Sequence, residues 1–205
     1  MSSSNLRNLT LAFFSPEPGE DWINSLIAKA SKYPYCHLEL YFETINQCFS
    51  IQLGEQATLR SKTLASPCYE IVTLQVSMKE YDACLDFCRK TTALKMGFDN
   101  KGMWRSYFLH PVFSYMCCCC LFKSSEECNK TFCSKIICEA LQHAGVEEVQ
   151  HRHPACTTPS RIYSDIVKSK RRVCASVPYK RENMLKTKTI TFNNNVYFRV
   201  DSVQP

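Results

Sequence analysis

No stretch of the sequence reaches the ~18 consecutive apolar residues that a membrane-spanning helix needs. The nearest, Tyr107 to Phe122, is short and contains His110 and Pro111. The first ten residues, MSSSNLRNLT, lack the apolar core of a secretory signal. There is no internal repeat and no obvious linker, so the 205 residues are read as one domain. Separated CxxC pairs are missing too. The sole CxxC lies inside the run Cys117–Cys120, which removes the usual zinc-knuckle spacings. Nor do the basic residues come with a recognition helix or an aromatic platform motif, and no specific nucleic-acid partner is expected.

What is present is a globular composition, with 45% hydrophobic and 21% charged residues. The net charge of +6 is mildly basic, and much of the excess falls late, in Lys168–Arg172 and in Lys180, Arg181, Lys186 and Lys188. Such a basic extension, from about residue 168, reads as a solvated face that can also meet phosphates or an acidic membrane surface. The 14 cysteines would suit a small secreted disulfide framework. The missing signal and the unbroken Cys117–Cys120 run point instead to free thiols in a reducing, cytoplasmic compartment. Clustered cysteines beside aromatics also resemble acylation sites, so Cys117–Cys120 is a second candidate for peripheral membrane contact.

Periodicity gives the elements. Residues 9–14 read as a strand, and Trp22, Ile23, Leu26, Ile27 and Ala30 recur at helical spacing over Glu20–Lys32. Residues 35–43 (YCHLELYFE) alternate at period two, with Cys36, Leu38, Leu40 and Phe42 opposed to Tyr35, His37, Glu39 and Tyr41. Residues 48–53 alternate again, and pairing the two apolar faces puts His37 and Glu39 on one side of the sheet with Ser50 and Gln52. A strand over 69–76 follows, then a helix over 78–92 with Ser77 as N-cap. Residues 95–130 read as an irregular insert rich in aromatics and cysteine. Beyond it, a helix opens at Cys133 with Ile136, Ile137, Ala140, Leu141 and Ala144 inward, and Gly145 closes it. The tail offers a hairpin from 188–192 and 196–200. The fold class is α+β, a small antiparallel sheet packed on the Cys133 helix.

A cysteine attacks as thiolate, so a catalytic one needs an environment that favours the anion. The first turn of a helix supplies unpaired N–H groups and the positive end of the macrodipole, and Cys133 stands there. A strand-borne histidine, His37, can pair with the thiolate and pass a proton to a leaving group. Gln52 and Glu39 compete to hold the imidazole in one orientation.

The order of these parts carries a resemblance. YCHLELYFE, then FCSKIICEALQHAGV, then TPSRIYSDI resemble the circularly permuted branch of the NlpC-type papain-like superfamily, the YiiX-like cysteine hydrolases and their poxvirus relatives. The resemblance covers residues 9 to about 168. In that branch the histidine strand precedes the cysteine helix, as it does here. It implies a permuted papain-like fold, Cys133 as nucleophile, His37 as base and no cofactor. The substrate it implies is a peptide, an amide or a lipid acyl group. The family's third residue is an acid on the strand after the histidine, where this chain has Gln52. Glu39 is the charged alternative. The acid common two places after the cysteine is replaced by Lys135. Poxvirus relatives and the cysteine-rich character are in keeping with a large DNA virus as source.

Three other readings stand beside this one. The first is a papain-like fold kept as an inactive binding module. The second is a zinc site drawn from His151, His153, Cys156 and Cys174, and the third is a basic nucleic-acid-binding protein.

Overall fold

A computed structural model of the chain describes residues 6–17, 33–62, 64, 67–108, 129–175, 187–192 and 195–200. Leu9, Leu11 and Phe13 alternate with Thr10, Ala12 and Phe14, and this period sets the first strand, β1 (Leu6–Phe14). It pairs antiparallel with β2 (His37–Phe42) on one side and β5 (Tyr69–Ser77) on the other. β3 (Gln47–Ser50) and β4 (Thr58–Arg60) extend the sheet beyond β2, and β8 (Arg172–Ala175) extends it beyond β5. The six-stranded order is β4-β3-β2-β1-β5-β8.

The registers Leu9 with Phe42, Leu11 with Leu40, Leu11 with Val72 and Leu40 with Phe49 collect the apolar side chains on one face. Three helices cover that face: α1 (Met78–Ala93), α3 (Cys133–His143) and α4 (Pro159–Ile166). Ile136, Ile137, Ala140 and Leu141 of α3 are fully buried there, as their spacing requires. A capping box fixes the start of α1. Ser77 accepts from the Glu80 N–H, and Glu80 accepts from the Ser77 N–H at 2.7 Å. Gly145, at φ +82°, follows α3 in the left-handed region where glycine carries no steric cost. On the opposite face, Ala12, Cys48 and Leu64 form a smaller cluster with Tyr41, Tyr69 and Ile71.

The segment expected to be irregular, 95–130, holds regular structure at both ends. After β6 (Gly97–Phe98), helix α2 spans Asn100–Phe108, and β7 (Lys130–Thr131) runs parallel to β6. The Asp99 carboxylate accepts the Gly102 N–H at 2.8 Å and caps the helix, a local bond that the aromatic composition conceals. The tail hairpin forms from β9 (Thr187–Phe192) and β10 (Asn195–Val200). The expected helix over 20–32 and the Cys117–Cys120 run lie outside the described residues. No helix among the described residues is long and apolar enough to cross a membrane.

Candidate active site

Cys133 is the first residue of α3. Phe132 before it is extended (φ −137°, ψ 165°), and its side chain makes no cap hydrogen bond. The N–H groups of a first turn have no intrahelical partner, and Phe132 offers them no side-chain oxygen. His37 is the first residue of β2. Its imidazole interacts electrostatically with the Cys133 sulfur and keeps 17% of its side-chain surface accessible. The nucleophile and base expected from the sequence are thus brought together across 96 residues of chain (133 − 37).

Glu39 follows His37 on the same strand face and is fully buried. Its Oε1 lies 3.3 Å from His37 Nε2, an ion-pair distance when the ring is protonated. Neither Nε2 nor Glu39 Oε2 has a hydrogen-bond partner among the described residues. Burial alone would depress the imidazole pKa. The Cys133 sulfur and the Glu39 carboxylate outweigh that penalty and raise it to about 9. Burial would likewise raise the Glu39 pKa, but His37 and Lys62 hold it down at about 2.

Glu39 is held from several sides. Lys62, on the loop after β4, donates to Oε1. The Tyr69 hydroxyl donates to the same oxygen at 3.0 Å and accepts from Lys62 at 2.8 Å. The Cys48 thiol, buried on β3, lies near the carboxylate, and burial with this negative neighbour pushes its pKa up to about 12. Such a network fixes the carboxylate beside the ring without leaving it an isolated charge.

Of the two candidates for orienting His37, Glu39 is the one in contact with the ring. β3 ends at Ser50, short of the expected 48–53, and Gln52 falls in the turn that follows, its carbonyl accepting the Glu55 N–H at 3.0 Å. The Gln52 side chain makes no hydrogen bond among the described residues. Lys135 sits half-buried in the first turn of α3; burial raises the pKa of Glu139, and the Lys135 cation offsets only part of that rise.

A second group of side chains packs around the residues just before His37 and Cys133. Cys36, Met103, Tyr107 and Phe132 form a buried cluster with Phe14, Phe98 and Trp104 at its margin. The Tyr107 hydroxyl is buried with no hydrogen-bond partner among the described residues, as is Thr131 Oγ1. Lys62, Tyr69 and Tyr107 were not identifiable from the sequence as site residues. Tyr69 alone gave a signal, through its place in an alternating strand.

The zinc reading gathers no ligands. Among the described residues no group of three or more His, Cys, Asp or Glu is placed to hold a metal ion. His151 lies 3.8 Å from Asp165, whose carboxylate already binds Arg152 through two bonds of 2.7 Å. Part of the basic stretch is also occupied within the fold. Arg171 bonds Glu80 and Glu148, and Arg172 donates to the Val167 carbonyl. The eight described cysteines whose side chains are placed (Cys36, Cys48, Cys68, Cys84, Cys88, Cys133, Cys138 and Cys156) are all buried, and none is in a disulfide. Comparisons with protein-family models, with curated proteins and with solved structures return no match for this chain.

Proposed function

We propose that the protein is a cysteine-dependent hydrolase or acyltransferase acting on an amide or ester bond through an acyl-enzyme. The observation that carries the reading is Cys133 at a helix start, its sulfur acting electrostatically on a His37 imidazole that a buried carboxylate flanks. The element order supports a permuted papain-like fold, with the histidine strand ahead of the cysteine helix and that helix packed on an antiparallel sheet.

The Cys133 thiolate attacks the carbonyl carbon, forming the S–C bond and moving the π pair onto oxygen. The tetrahedral intermediate collapses as the C–N or C–O bond breaks, and the His37 imidazolium gives its proton to the leaving group. Water or another acceptor then attacks the thioester, His37 takes its proton, and the S–C bond breaks. Glu39 stabilises the imidazolium and holds the ring in place. The apolar cluster of Met103, Tyr107 and Phe132 beside the sulfur supports an acyl group with apolar character as the substrate part bound there.

Site-resolved alkylation by iodoacetamide, read by mass spectrometry, tests this together with turnover of p-nitrophenyl esters and amides. Cys133 should react at neutral pH at least about tenfold faster than the other cysteines, and Cys133→Ser should abolish turnover. Unchanged hydrolysis in Cys133→Ser would end the catalytic reading and leave the chain a binding module.

A further inference from the structure

We propose that the Tyr107 hydroxyl is an oxyanion donor of this site, completing a hole that the first-turn N–H groups of α3 begin. The proposal rests on the acyl-transfer reading above and adds to it the group that receives the developing charge.

Helix α2 is fixed relative to Cys133 by backbone. The Gly97 N–H donates to the Asn129 carbonyl at 2.8 Å and the Asp99 N–H to the Thr131 carbonyl at 2.6 Å, two residues before the nucleophile. Gly102 lets the helix settle closely. A Cβ there would lie 2.2 Å from Asp99 Oδ2 and 3.3 Å from the Phe132 ring. Met103 and Tyr107, four residues apart, then share one helix face and pack with Cys36 and Phe132. Those two residues directly precede His37 and Cys133, so the phenol belongs to the cluster packed beside both.

The ring could be there for packing alone, but the hydroxyl could not. A phenylalanine would fill the same volume without burying a polar atom, whereas Tyr107 buries its hydroxyl with no partner among the described residues. An oxyanion donor has this character. It is preorganised, kept from water and bonded fully only when charge develops on the substrate oxygen. Burial and the nearby Cys133 and Cys36 sulfurs raise the phenol pKa, which keeps the proton a donor needs.

Two reactions of Cys133 separate this role from packing. Displacement of iodide from iodoacetamide forms no oxyanion, whereas acylation by p-nitrophenyl acetate passes through one. In Tyr107→Phe, alkylation at Cys133 should stay within about twofold of the unaltered protein while acylation falls about 100-fold. Acylation at the unaltered rate would overturn the proposal. So would a parallel fall in both reactions, which would make Tyr107 a packing residue. Failure of the unaltered protein to be acylated at Cys133 would instead remove the acyl-transfer reading, and this proposal with it.

Discussion

At His37 two influences oppose one another, since burial disfavours the imidazolium and the flanking sulfur and carboxylate favour it. The balance, near pKa 9, keeps the ring protonated well above neutrality, as a general acid requires. Loss of that proton should set the alkaline limb of kcat/KM near pH 9. Glu39→Gln removes the negative neighbour and leaves the Lys62 cation facing a neutral amide. Both changes lower the imidazole pKa, so the limb should move to lower pH and kcat/KM should fall about 100-fold. Gln52→Ala should leave rate and limb within about twofold. A pH–rate profile of the three proteins checks this, and the opposite ranking would return the orienting role to Gln52.

Among elements, α1 and α3 were the most legible in the sequence, because each combines helical apolar spacing with a local stop or start signal. Ser77 and Glu80 write the start of α1 into four residues. Ser77→Ala should cost about 1 kcal/mol in chemical denaturation with the m-value unchanged. A negligible change would show that the sheet, and not the cap, holds this helix start. The strand faces were legible for the same reason, since period two assigned His37 and Glu39 to one side correctly. Lys62 was not. It lies on a loop without periodicity and reaches Glu39 only because the loop folds over the sheet face. Helix α2 escaped notice because it is nine residues long and begins on an aspartate bond in a stretch whose composition suggested a loop. Local patterns report which way a side chain points along a strand or helix. They do not report which distant loop covers it.

For the whole molecule, charged groups set a pH window. Glu39 and Glu148 have pKa values held near 2, and that of Glu80 is lowered as well, by Arg171 and the cap, against the effect of its burial. These depressed carboxylates stabilise the fold fully above their ordinary value of 4.5, and that stabilisation is lost as pH falls toward 2. His37, raised from 6.5 to about 9, acts in the other direction. Its contribution is complete below 6.5 and fades as pH rises through about 9. Thermal denaturation should therefore show a plateau between roughly pH 5 and 6.5 with a fall on each side. Glu39→Gln should flatten both flanks. A melting temperature constant from pH 5 to 2 would contradict the carboxylate pairing.

The order of the site along the chain also governs when it comes into being. His37 and Glu39 lie on the second described strand, and Cys133 follows only after β5, α1 and α2. A chain made from its N-terminus lays down the receiving half first, and chains gain their structure progressively in that direction. Until α3 docks on the sheet, Cys133 has neither partner. On the acyl-transfer reading proposed above, the order of synthesis itself would withhold the chemistry of Cys133 from the unfinished polypeptide.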